Sequence, residues 1–204
     1  MSGDRELPDT VPAVPAVEAP AVGISVRRVL VALDASPSSR DVATAAVELA
    51  AQWRAEIEGL FVEDRTLLEL AALPLTAPAG LPRPELAEGE WSAETVERRL
   101  VLEATGARRT LEEAAARHGL RCGFEVARGH VTEEILRRLA EVDVLVLGRV
   151  GWSGGRGARL GRTAATVLAR SRGVLLPFGR SGRGVLRVLV RWERPGPRAT
   201  ILSE

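Results

Sequence analysis

The stretch Val29-Leu30-Val31-Ala32-Leu33-Asp34-Ala35-Ser36-Pro37-Ser38-Ser39 decides the fold. Five consecutive apolar residues, two of them β-branched, suit a strand covered on both faces, as in a parallel sheet. A half-solvated strand would alternate apolar with polar. Asp34 closes the run. Ser36 then offers a capping oxygen and Pro37 fits a first helical position, so a helix is predicted to start there. Val42, Ala45, Ala46, Leu49, Ala50 and Trp53 recur at helical spacing and give that helix one buried face. Ile57 to Val62 supplies the next strand and completes a strand–helix–strand unit.

Working outward, the same alternation continues. Leu67, Leu68, Leu70 and Ala71 predict a short helix ended by Pro74, followed by a proline-rich loop to Pro84. Ser92 is placed to cap a long helix carrying Val96, Leu100 and Leu111, with Gly119 near its end. Cys122 to Ala127 reads as strand three. Thr132 with Glu133 and Glu134 predicts a helix start, the acids lying where the helix dipole favours them, and Ile135, Leu136 and Leu139 form its buried stripe. Val142 to Leu147 reads as strand four, Thr163 to about Arg170 as a short helix, and Val174 to Leu176 as strand five. The expectation is an α/β fold, a five-stranded doubly wound parallel sheet of Rossmann-like type with helices on both faces. Ligands of such sheets bind beyond the carboxyl ends of the strands, where the strand order reverses. If strands one and four are neighbours there, Asp34 and Gly148 border one crevice.

Three regions are expected. Residues 1–26 contain Val11 to Val22, a proline- and alanine-rich run that favours an extended, unpacked tail. Residues 27–178 form the α/β domain. Residues 179–204 return to glycine, arginine and proline around Val185 to Val190, an extra strand, either at an edge used for dimerisation or as the start of a truncated second copy.

Composition narrows the function. The 204 residues carry a formal charge of +1, which by itself indicates no class of partner. The single cysteine, Cys122, cannot form an intrachain disulfide, and the start lacks the basic and apolar parts of a signal peptide. No apolar run is long enough to cross a bilayer, so the expected setting is cytoplasmic, away from membranes. Every basic residue apart from two histidines is arginine, and lysine, asparagine and tyrosine are absent, a coding bias that makes arginine abundance uninformative. The distribution is informative. No acid occurs between Asp143 and Glu193, while arginines stand at 149, 156, 159, 162, 170, 172, 180, 183, 187 and 191. A local positive field is expected there. Few aromatics are available to stack on bases, so nucleic acid is an unlikely partner.

Gly148, Gly151 and Gly161 begin where strand four stops and end where a helix starts. Glycines there let a ligand approach bare backbone, and the unpaired N–H groups of the helix start attract an anion. Ser36 and Ser39 are nearby hydroxyls whose expected task is helix capping. His118 and His130 lack a partnered nucleophile, Cys122 reads as a strand residue, and Trp152 lies inside the glycine loop either as a shield or as a packing residue. No P-loop lysine is present.

VLVALDASPSS, the Gly148–Gly151–Gly161 spacing of two and nine intervening residues, and the segment Arg128-Gly-His-Val-Thr-Glu-Glu-Ile-Leu136 together resemble the universal stress protein family, in its ATP-binding branch, over Arg27 to Phe178. The resemblance implies a sheet akin to the adenine nucleotide alpha hydrolases and a small dimeric regulatory protein that binds ATP, with Mg able to accompany the triphosphate. It implies that Ala32, Leu33, Asp34 and Val62 surround the adenine and ribose. Leu147, Gly148 and Gly151 would close over ribose and phosphates, and Gly161, Arg162 and Thr163 would hold the phosphate end. The family motif follows its last glycine with serine or threonine, whereas Arg162 stands here. Arginine there either clamps phosphate or fills its place, the latter leaving a nucleotide-free dimeric scaffold. With no acid in the loop to hold a metal, at most slow ATP hydrolysis is expected.

Overall fold

The computed structural model describes residues 26–36, 38–73, 92–148, 161–171, 173–178 and 187–192. The expected proline-rich tail, the loop to Pro84, Gly151, Trp152 and most of the acid-free arginines lie outside these residues. In chain order the elements are β1 (Arg28–Leu33), α1 (Ser39–Trp53), β2 (Glu56–Asp64), α2 (Arg65–Ala72), α3 (Ala93–Arg117), β3 (Cys122–Gly129), α4 (Val131–Leu139), β4 (Val144–Gly148), α5 (Arg162–Arg170), β5 (Gly173–Phe178) and β6 (Arg187–Trp192).

The sheet runs β3-β2-β1-β4-β6-β5. Its first four strands are parallel, with Ala32 of β1 opposite both Leu60 of β2 and Leu147 of β4. The chain winds outward from β1 to β3 and then jumps back to β4, so the order reverses between β1 and β4, as the strand-one and strand-four pairing required. Val29 and Val31 of β1 pack with α1 and Leu111, Ala114 and Ala115 of α3 on one face. Leu30 packs with Ile135, Leu139, Ala164 and Val167 of α4 and α5 on the other. Alternate β1 side chains thus enter two different cores, which is why its run is apolar throughout.

Five parallel strands were expected, and here the structure differs. β5 does not pair with β4. It pairs antiparallel with β6, and β6 in turn pairs antiparallel with β4. β5 and β6 are antiparallel partners, and β6 takes the place beside β4 that a fifth parallel strand would fill. The extra strand is therefore interior, and not an edge.

Several ends also shift. The first helix was expected to be capped by Ser36, but it starts at Ser39 with Ser38 at the N-cap and no side-chain capping bond. Helix α4 starts at Val131, one residue before Thr132, after an N-cap at His130. Ser92 does cap α3, its Oγ accepting from the Thr95 N–H at 3.1 Å, and Gly119 follows that helix in the left-handed region at φ 64. Asp143 fastens the start of β1 to that of β4, its Oδ2 accepting from the backbone N–H of Arg27 at 2.8 Å and Arg28 at 3.0 Å.

Cys122 opens β3 half-buried, with its Sγ 3.7 Å from the Gly123 carbonyl oxygen. Burial pushes its thiol pKa up, and the Glu112 charge adds to the effect. The native state therefore disfavours the thiolate, and stability from this group is lost as pH rises through the raised value. Alkylation of the folded protein by iodoacetamide should stay slow across the pH range where an ordinary thiol reacts, and should regain the ordinary profile in urea. Coinciding profiles in the two states would contradict this.

Candidate functional site

A cleft opens at the carboxyl ends of β1 and β4. Its walls are Ala32, Leu33 and Asp34 at the end of β1, Ser36, Ser39 and Val42 in the turn and first part of α1, and Val131 and Ile135 of α4. Leu147 and Gly148 close β4, and Gly161, Arg162, Thr163 and Ala164 open α5. Eight residues singled out from the sequence meet here: Ala32, Leu33, Asp34, Leu147, Gly148, Gly161, Arg162 and Thr163. Val62 does not line it. That residue sits on β2, one strand away from the reversal, paired with Ala127 of β3 and packed toward the α4–α5 core. Gly151 lies outside the described residues.

The turn after β1 is held by its own side chains. Asp34 Oδ1 accepts from the Ser36 N–H at 3.1 Å and from the Ser36 hydroxyl at 2.5 Å. The Asp34 N–H donates to Ser39 Oγ at 3.2 Å, and the Ser36 and Ser38 hydroxyls lie 2.9 Å apart. This is an aspartate turn in which the carboxylate organises the backbone two residues on. The Ser36 hydroxyl is thus engaged with Asp34 and Ser38 within this turn. Ser36 and Ser39 are cleft residues whose hydroxyls set the shape of this rim.

The opposite rim is a helix start. Gly161 is the buried N-cap of α5, at φ −68 and ψ 156, with no side-chain cap. The first intrahelical bond runs from the Ala165 N–H to the Gly161 carbonyl at 2.9 Å. The N–H groups of Arg162, Thr163 and Ala164 precede it and carry the positive end of the helix dipole. Arg162 is exposed and Thr163 half-buried. Between the rims the walls are apolar: Leu33, Val42, Ile135, Leu147 and Ala164 are all buried.

Val42, Val131, Ile135 and Ala164 were not anticipated as cleft residues. A positional rule finds three of them, since the first turn of a helix that follows a parallel strand sits at the carboxyl edge of the sheet. Val42, Val131 and Ala164 occupy those first turns, and Ile135 is the next residue along the same stripe of α4. Among the described residues no three His, Cys, Asp or Glu side chains gather to hold a metal ion, and no helix is long and apolar enough to cross a membrane.

The chain matches the Universal stress protein family over residues 25–175. No curated protein sequence matches it. Among solved structures, universal stress protein UspA from Lactobacillus plantarum superposes with a TM-score of 0.50 at 19% identity, covering 72% of this chain and 93% of that one. Hypothetical protein MJ0577, the subject of a structure-based assignment of biochemical function, superposes with a TM-score of 0.53 at 15% identity, covering 73% and 92%. Identities this low speak for a shared fold, and the family match covers most of the chain. By that match, this chain belongs to the universal stress protein family.

Proposed function

We propose that this protein is a nucleotide-binding regulatory member of its family that takes ATP in the cleft between β1 and β4. The observation that carries the reading is the pairing of two chemistries in one cleft: buried apolar walls suited to a purine, facing the uncapped N-terminus of α5, suited to phosphate. Asp34 and its serine turn would meet the ribose, and Arg162 and Thr163 the phosphates. In sequence, the stretch from 144 to 192 is rich in arginine and free of acids, a composition that favours an anionic ligand. Magnesium would enter with the triphosphate, held through phosphate oxygens. Hydrolysis, if present, is slow, and the output is regulatory. The proposed setting is cytoplasmic and the proposed assembly a homodimer.

A second reading is a nucleotide-free dimeric scaffold in which Arg162 fills the phosphate position. The observation in its favour is that Arg162 itself lines the cleft. Titration calorimetry with ATP on the wild type and Arg162→Ser separates the two. A phosphate clamp predicts an affinity about 10-fold weaker in the variant, the size expected for one charge-assisted hydrogen bond. A blocking arginine predicts no binding by the wild type and recovered binding by the variant.

A further inference from the structure

We infer that Arg138 is a positioning residue for the cleft, its guanidinium fixing where α4 stands on the sheet and so where the wall made by Val131 and Ile135 meets a bound base. The inference rests on the proposed nucleotide reading for its ligand, and on the ion pairs of α4 for its mechanism. Helix α4 is nine residues long and fully buries two side chains, Ile135 and Leu139. Apolar contact is non-directional, so by itself it does not stop the helix from sliding or rolling over the sheet. A guanidinium fork is directional. Arg138 stands one turn beyond Ile135 with its side chain 14% exposed, and its Nη2 pairs with Glu58 of β2 and, at 2.7 Å, with Glu125 of β3. Its Nη1 donates to Glu141, just past the helix, at 3.1 Å.

The same flank of α4 carries a second contact. Glu134 lies over Gly129, where an added Cβ would meet its Oε1 at 2.9 Å, and its Oε2 accepts from Arg137 Nε at 3.0 Å and Nη2 at 2.7 Å. Arg137 also reaches Glu125 at 3.6 Å, so one carboxylate ties the two arginines together. α4 is thus fastened by charge to β2 and β3, while its Val131 and Ile135 line the cleft with β1, β4 and the start of α5. Shielded ion pairs add little net stability over apolar packing, because taking the charges out of water costs nearly what their attraction returns; what they supply here is register. The Arg138 Nε is buried without a partner among the described residues, a cost that apolar packing would avoid. Arg128 provides a matched comparison on the other face of the sheet. It joins β2 to α3 through Glu63 at 2.8 Å and Glu97 at 2.5 Å, and no described residue of α3 is among the cleft walls.

The test combines amide hydrogen exchange with calorimetry on the full chain, comparing wild type, Arg138→Met and Arg128→Met, with adenosine, ATP and inorganic tripolyphosphate as ligands. In Arg138→Met the α4 amides of Ile135 and Leu139 are expected to exchange about 10-fold faster. Adenosine and ATP should bind about 10-fold more weakly, while tripolyphosphate, held at the start of α5, keeps its affinity. Arg128→Met should loosen α3 and leave all three affinities unchanged. If the wild type binds ATP and adenosine, and Arg138→Met shows either wild-type α4 exchange or unchanged adenosine affinity, the inference is overturned while the nucleotide reading stands. Equal losses of adenosine affinity in the two variants report general loosening and overturn it as well. If the wild type binds neither ATP nor adenosine, the nucleotide reading fails, and the placement of the wall by Arg138 stands or falls on the exchange rates alone. Should Arg138→Met unfold, Glu125→Gln takes its place, keeping the shape and removing the charge that Arg137 and Arg138 share; the same direction of change is expected, and no change overturns the inference.

Discussion

Replacing Gly59 with valine is expected to destabilise the fold by about 3 kcal/mol, at the upper end of the usual cost of overpacking a close-packed core. Gly59 is buried in the middle of β2, paired with Val31 on one side and Phe124 on the other. A Cβ at this position would lie 2.5 Å from Phe124 Cδ2 and 2.6 Å from Leu111 Cδ2. Neither neighbour can yield freely. Leu111 is fully buried in α3, and the Phe124 ring carries the Arg108 guanidinium 5.2 Å from its centroid. Valine adds two further carbons to a space already too small for one, so α3 must lift from the sheet or β2 must bend. Urea unfolding checks it: the midpoint should fall by about 1–2 M for a slope typical of a domain of this size. Gly123→Ala is the companion variant on the adjacent strand, where an added Cβ meets only Glu58 Cγ at 3.7 Å. Its midpoint should stay close to the wild type. Equal midpoints for Gly59→Val and the wild type would show that the helix layer is looser than its packing indicates.

Gly59 was not legible as a packing glycine, because the residues it must accommodate come from positions far along the chain. β1 was legible for the opposite reason: burial on both faces leaves a local signature, an unbroken apolar run. The same contrast holds for the last two strands. Their apolar runs were visible, but whether β5 adds in parallel to β4 or folds back on β6 depends on long-range pairing that leaves no mark in either run. Local sequence likewise says nothing of Arg138, which joins α4 to β2 and β3 through Glu58 and, at 2.7 Å, Glu125. Two of those three charges sit on strands where they read as ordinary solvent-facing positions.

At the cleft, Asp34, Gly148 and Gly161 stand out in the sequence by type, an acid ending a buried strand and glycines before a helix start, whereas Ala32, Leu33 and Leu147 came from the family resemblance. Those missed are further core residues that sit at the carboxyl edge of the sheet. Val42 and Ile135 were recognised as buried, and only the topology turns that burial into a cleft wall. Val62 came only from the family resemblance; it stands on β2, one strand away from the order reversal, partly buried against the same core as Leu147, Ile135 and Ala164.

Asp34→Ala is expected to lower nucleotide affinity by roughly 10–100-fold, the loss associated with hydrogen bonds to a charged group. The direction of its selectivity is the informative part. A carboxylate in the cleft repels a triphosphate and can favour binding only by accepting hydrogen bonds from hydroxyl groups such as those of ribose. Adenosine and ATP should therefore lose affinity by similar factors, unlike the phosphate-selective loss expected at Arg162. The substitution also removes the acceptor that holds the Ser36 N–H and hydroxyl, so part of the loss arises from a loosened turn. Asp34→Asn separates the two contributions, because its amide oxygen can still accept from Ser36 while the negative charge is gone. With the turn retained, Asn should recover most of the thermal stability and only part of the adenosine affinity. If instead Asp34→Ala strengthens ATP binding and leaves adenosine untouched, the carboxylate is a repulsive charge beside the phosphates. The β1 end of the cleft would then face the phosphate part of the ligand, reversing the proposed orientation of the nucleotide.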